Sequence, residues 1–279
     1  MYAGRNLLNT LDKRLLSAPK RAFRKSEGAV IAATTSIREE IQACYGVDSV
    51  VRCEIGLDAP EIPERLPPRE ADDPLRIIWS GLHIPRKALP LLLDALAMIP
   101  SDTAWHLTVL GAGPQSARWR ERAESMGLND RITWAGRLPR DEAIAHLRQA
   151  HVMAVTSLYD LTSTVIVEAL SVGLPVICPD HYGFRDAVDG DCGIRVQTDS
   201  IVSIRKGMAE AFRRLYEDEA ERQRLAKGAL RKAITYTWPE TGAFVARIYD
   251  RQVATTSSGR RAATEVLGEP DRPPKHDPE

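Results

Sequence analysis

The chain has 279 residues, 43% hydrophobic and 27% charged, enough to bury one substantial core with room for part of a second. Lysine plus arginine and aspartate plus glutamate balance at 38 each, and only 6% of residues are aromatic. No net field gathers polyanions, which argues against a nucleic-acid role and leaves any anionic ligand to be caught by local geometry.

Cys44, Cys53, Cys178 and Cys192 form no CxxC pair, so neither a zinc site nor a disulfide framework is suggested. No apolar run approaches the ~20 residues of a membrane-spanning helix, and residues 1–10 carry no signal-peptide core. The expected home is a reducing cytoplasm, with at most peripheral attachment to a membrane.

In chain order, residues 7–16 read as a helix, 29–33 as a strand and 36–45 as a second helix. These roughly 58 residues are few for an independent core, and a lone strand exposes unpaired edges. The remainder of that layer is therefore expected to be missing or supplied by a partner chain. Residues 59–74 contain Pro60, Pro63, Pro67, Pro68 and Pro74 among charges and read as an inter-domain linker.

Short apolar runs then recur at 75–80, 105–110, 131–135, 151–157, 174–179 and 193–197. Without strict alternation, such runs fit strands buried on both faces of a parallel sheet. Between them, 88–99 places Leu89, Leu92, Leu93 and Leu96 on one helical face before Pro100 stops it, and 140–150 does the same with Ile144, Leu147 and Ala150. The expected fold class is α/β, a Rossmann-like doubly wound parallel sheet over 75–253, preceded by a partial N-terminal domain at 1–58. Ligands of such sheets bind beyond the carboxyl ends of the strands, here the loops after Ser80, Leu110, Ala135 and Ser157. Residues 200–234 and 238–253 read as helices, and 254–279, with no hydrophobic face and a Pro-rich charged end, as a disordered tail.

The most informative stretch begins after Ser157. A polar loop leads into a helix starting near Ser163, with Thr162 or Ser163 available as N-cap. Free amides of a first helical turn can receive a phosphate oxygen without any basic side chain. Glu168, one to two turns in, is placed to accept hydrogen bonds from a ribose diol. The alternative is that Ser163 is only a cap and Glu168 only a solvated helix residue. Gly111 and Gly113, after the second strand, suit either a tight connection or a close approach of backbone to ligand. They lack the third glycine of G-x-G-x-x-G, which counts against a nicotinamide cofactor.

Taken together these segments resemble a known family. Asp160, seven residues, Glu168, then Ala169-Leu170 and Gly173-Leu174-Pro175-Val176 resemble the acidic donor-site signature of the GT-B glycosyltransferases of family four (glycosyl transferases group 1), which usually has glutamate at both ends. The resemblance implies that Glu168 binds the nucleotide ribose, that Asp160 lies near the donor sugar in a catalytic position, and that Leu161, Thr162, Ser163 and Thr164 meet sugar and pyrophosphate.

Ser80-Gly81-Leu82-His83-Ile84-Pro85-Arg86-Lys87-Ala88 resembles the family's first loop, where an arginine and a lysine hold the diphosphate. Lys87 matches the lysine and is implied in both binding and catalysis. Leu82 stands at the arginine position, so Arg86 is the substitute, its guanidinium suited to bidentate phosphate binding. Gly111-Ala112-Gly113-Pro114 matches a G-x-G-P turn, and Gly136-Arg137 the segment near the base. Gly183 followed by Asp186 resembles a glycine, two residues, glutamate pattern, again with the shorter acid. Residues 29–36, Gly56-Leu57-Asp58 and Tyr236-Thr237-Trp238-Pro239 resemble the family's domain-crossing segments.

The resemblance covers most of 29–253. It implies a retaining glycosyltransferase of hexosyltransferase type, with a nucleoside-diphosphate sugar as donor, no metal and no further cofactor. The acceptor, whether glycan, lipid or small molecule, is unknown, and most of the acceptor domain has no counterpart before Met1. Two alternatives stay open: a GT-B-fold sugar-nucleotide epimerase, and a non-catalytic subunit partnering a separate acceptor-domain chain.

Overall fold

Apolar runs that do not alternate become strands covered on both sides. The computed structural model describes residues 29–58, 68–70 and 72–267, with side chains as far as 254. Strands β3 (Leu75–Ser80), β4 (Trp105–Leu110), β5 (Ile132–Gly136), β6 (Val152–Ala154), β7 (Val176–Pro179) and β8 (Gly193–Val196) form one sheet in the order β5-β4-β3-β6-β7-β8, parallel throughout. The order reverses between β3 and β6, the switch point at which doubly wound sheets open a crevice. This is the α/β class read from the sequence.

Successive residues of a strand face opposite sides. Ile77 thus joins one core with α2 (Leu89–Leu96), α3 (Ser116–Ser125) and α7 (Ile201–Glu217), while Ile78 joins the other with α4 (Arg140–Gln149), α5 (Thr164–Ser171), the short α6 (Phe184–Ala187) and α8 (Glu219–Ile234). Helix α2 is the most apolar of these, burying Leu89, Leu91, Leu92, Leu93, Ala95 and Leu96. Helix α3 was not foreseen, because it buries only Trp119 and Ala123 and so leaves almost no period to read.

The N-terminal segment is a small βαβ unit: β1 (Ile31–Ala32) and β2 (Val50–Val51) pair in parallel across α1 (Thr35–Tyr45). Several contacts fasten it to the sheet domain, among them the following two. Leu57 forms a bridge with Thr237, its N–H donating to the Tyr236 carbonyl at 2.9 Å and its carbonyl accepting from Trp238 N–H at 2.9 Å. Asp186, expected as a stand-in for the family glutamate, accepts from the Thr35 N–H at 2.7 Å and the Thr35 hydroxyl at 2.6 Å. A carboxylate on the first turn of α1 also meets the favourable end of its dipole. Asp186→Ala is expected to cost about 1–2 kcal/mol, seen as faster amide exchange in α1 with the sheet's protection unchanged.

Part of the proline-rich linker, residues 59–67 and 71, lies outside the described residues, as do 1–28, including the helix expected at 7–16, and 268–279. The described part is anchored: Arg69 donates to Glu219, Tyr216 and Asp73, its backbone N–H at 3.1 Å and its guanidinium at 2.6 Å to each carbonyl. The last helix, α9 (Trp238–Leu267), continues past the boundary expected at Val253. Its extension, Thr255–Leu267, contains good helix formers such as Arg260, Arg261, Ala262, Ala263 and Leu267, so helix persists without an apolar face.

Candidate functional site

The crevice is built by two loops stitched together at the switch point. Trp79, buried at the end of β3, donates its indole N–H to Thr156 Oγ1 at 2.9 Å, and that hydroxyl donates to the Lys87 carbonyl at 2.7 Å. Leu158 N–H donates to the Arg86 carbonyl at 2.9 Å, and the Arg86 guanidinium donates to the Tyr159 carbonyl at 2.8 Å. The loop after β3 and the loop after β6 are therefore one rigid rim, and neither Trp79 nor Thr156 was singled out in the sequence.

Three sequence-predicted residues meet on this rim. Arg86 donates to Asp160 Oδ1, and Lys87 Nζ lies 2.6 Å from Asp160 Oδ2. The Asp160 side chain is only 9% exposed and that of Lys87 16%, so the pair is shielded from water and correspondingly strong. Burial, with the Arg86 charge beside it, pushes the Lys87 ammonium down to about 8; the Asp160 carboxylate acts in the opposite direction and favours the cation. Both cations thus point at an internal carboxylate.

Four residues after Asp160 comes the first turn of α5. Ser163 takes the N-cap backbone conformation, but its side chain makes no capping bond, and the Thr162 hydroxyl donates instead to Glu54 at 2.6 Å. The N-cap thus falls at Ser163, one of the two positions expected, without a side-chain bond. The amides of Ile166 and Val167 reach the Ser163 carbonyl, at 3.1 and 3.4 Å, while those of Thr164 and Val165 have no hydrogen-bond partner among the described residues. Two open N–H groups at a helix N-terminus suit an anion. Leu161 is exposed, and its carbonyl packs against Gly183 so closely that a Cβ at Gly183 would overlap it.

One turn deeper, Glu168 is held by Arg140, Nε to Oε1 3.5 Å, with its side chain 18% exposed. Burial pushes its carboxyl up, and Arg140 pulls it back. Arg140 opens α4 just past Gly136-Arg137, so Glu168 faces the loop after β5 rather than open solvent. Arg140 was not foreseen as a partner, although its position beyond the carboxyl end of β5 was the available signal.

The glycines divide. Gly111 has φ +107°, and a Cβ there would land on the Gly81 carbonyl; one at Gly113 would come within 2.7 Å of the His83 carbonyl. Both let the loop after β4 press against the loop after β3. Gly136 has φ +74° with open space where its Cβ would be, and its carbonyl accepts from Gly111 N–H at 2.6 Å. Arg137 is exposed and makes no side-chain bond among the described residues. No cluster of His, Cys, Asp and Glu among the described residues could hold a metal ion.

Strand order, the glycine turns and the acid one turn inside α5 define the Rossmann-like half of a GT-B fold. The chain belongs to the family of glycosyl transferases group 1, whose sequence profile matches residues 63–232. It is similar to a D-inositol 3-phosphate glycosyltransferase of Corynebacterium glutamicum (strain R), 29% identical over 197 residues, 67% of this chain and 46% of that protein. The chain thus spans about half the length of the curated relatives it matches. Among solved structures it is similar in fold to the apo form of the lipopolysaccharide outer core galactosyltransferase WaaB, with a TM-score of 0.68 and 18% identity over 82% of this chain and 62% of that one. It is also similar to Anabaena HepE in complex with UDP, with a TM-score of 0.62 and 19% identity over 83% of this chain and 64% of that one. Among the described residues, no helix is long and apolar enough to cross a membrane.

Proposed function

We propose that the crevice between β3 and β6 binds a nucleoside-diphosphate sugar, and that the whole protein transfers the sugar, with retention, to an acceptor held partly by a domain or chain beyond the residues described. The observation that carries this reading is the pair of open amides at Thr164 and Val165, four and five positions after the Asp160 that Arg86 and Lys87 hold, with Glu168 one turn deeper on the same helix. The UDP bound by HepE, a protein of the same fold, supports the choice of ligand class.

In this reading the diphosphate lies between the α5 N-terminus and Lys87. The two cations exchange Asp160 for phosphate oxygens, and Asp160 is left beside the sugar. Negative charge grows on the diphosphate as its bond to the sugar breaks, so amides and a cation fixed beforehand stabilise the transition state more than the bound substrate. Glu168 accepts from the ribose hydroxyls in place of Arg140. No metal takes part in this scheme.

Titration with UDP-, GDP- and ADP-sugars tests it. At least one should bind, and Glu168→Ala should weaken that binding about tenfold, the value of one or two charge-assisted hydrogen bonds. Equal affinity of the wild type and Glu168→Ala for every donor removes the ribose assignment.

A further inference from the structure

Across the sheet from Glu168, on the face covered by α2, α3 and α7, a second cavity of about 380 Å³ opens behind the Arg86–Lys87 turn. Its walls are apolar, with Leu91 and Trp119 buried and Leu158 and Ile201 exposed at 45% and 58%. Its mouth is basic. Arg122 and Arg205 share one carboxylate, Asp94, at 2.5 and 3.0 Å, and Arg118 on the lining makes no hydrogen bond or ion pair with any described residue. Of the two guanidiniums on the lining, Arg122 is paired with Asp94 and Arg118 is not, which leaves one unpaired positive charge on the wall, in a chain whose formal charge is zero.

We propose that this cavity is a binding site for a small amphipathic anion, a phosphate monoester on a short apolar body. The phosphate would sit on Arg118, whose planar fork matches phosphate oxygens, and the apolar part against Trp119 and Leu158. The volume falls within the range of small-molecule sites. Exposed Leu158 and Ile201 lose water only when such a body covers them.

The site also reaches the crevice. Pro85 and Ala88 line the cavity and flank Arg86 and Lys87, and Leu158, which walls it, bonds the Arg86 carbonyl through its N–H. A ligand that packs against this turn favours the arrangement that presents Arg86 and Lys87 on its other side, and the coupling is reciprocal. This second part rests on the donor-site reading above.

Isothermal titration of the full chain with hexyl phosphate, beside inorganic phosphate and hexanol, reads the site directly. Hexyl phosphate should bind one to one, with each control about tenfold weaker or more, and Arg118→Ala and Ile201→Asp should each weaken it about tenfold. Thermal melting of both variants should match the wild type, and Arg118→Lys, which keeps the charge, should restore part of the affinity. No saturable binding of hexyl phosphate, or equal affinity in Arg118→Ala, overturns the site. Flotation with phosphatidylcholine vesicles, with and without phosphatidic acid, distinguishes a free ester from a lipid headgroup: capture by acidic vesicles without hexyl phosphate binding overturns the small-ligand proposal. ADP should bind severalfold more tightly in saturating hexyl phosphate. Unchanged ADP affinity overturns the coupling, whereas absence of ADP binding alongside intact hexyl phosphate binding counts against the donor reading alone.

Discussion

Lys87→Ala is expected to lower the affinity for a nucleoside diphosphate by about 10- to 100-fold, the range for removing a partly buried charge-assisted contact. The same side chain predicts a pH dependence. Burial and the neighbouring Arg86 charge push its ammonium down to about 8, and a bound diphosphate raises that value, so the ligand selects the protonated form. Affinity is therefore full below about 8 and falls as pH rises through it, by up to about tenfold per unit until the bound-state value is reached. Calorimetry with ADP between about pH 7 and 10 checks this. Lys87→Ala should give a flat profile at low affinity, and Lys87→Arg, which stays charged, a flat profile at higher affinity. A wild-type profile that is flat over this window, with no loss of affinity in Lys87→Ala, would show that Lys87 does not face the ligand.

That one loop carries both cations was legible in the sequence; that both of them meet Asp160 was not. The strand runs and the loops after them follow from local apolar patterning, which depends only on neighbours in the chain. Asp160 meets Lys87 across 73 positions, Thr162 meets Glu54 across 108, and Thr35 meets Asp186 across 151. No local period encodes such pairings, so they emerge only once the sheet order brings distant loops to one edge.

The N-cap falls at Ser163, one of the two positions expected, but without a side-chain bond, and the hydroxyl of the other, Thr162, donates instead to Glu54 arriving from the N-terminal segment. Trp79 could be read as core from its strand, yet its second use, holding the Lys87 carbonyl through Thr156, depends on β3 and β6 being neighbours. Motif positions were therefore easier to find than motif chemistry. Asp186 fits its pattern in sequence and spends its carboxylate on tying α1 to the sheet domain.

The glycines provide the sharpest contrast between a residue required by conformation and one required by space. Gly136 and Gly111 both have positive φ, at +74° and +107°, but only Gly111 has a neighbour where a Cβ would go. Gly136→Ala should therefore cost only left-handed strain, about 1–2 kcal/mol. Gly111→Ala adds to that strain an overlap with the Gly81 carbonyl, and because backbone cannot rotate away as a side-chain tip would, the loops after β3 and β4 must separate. The expected cost is about 3–5 kcal/mol, a melting-temperature drop on the order of 6–20 °C for a domain of this size. Since the loop after β3 also carries Arg86 and Lys87, Gly111→Ala should weaken nucleoside diphosphate binding even below its melting transition, while Gly136→Ala leaves the rim intact. Equal melting temperatures for the two variants would mean that the loops after β3 and β4 are not in contact, and the rigid rim on which the site is built would be lost with that contact.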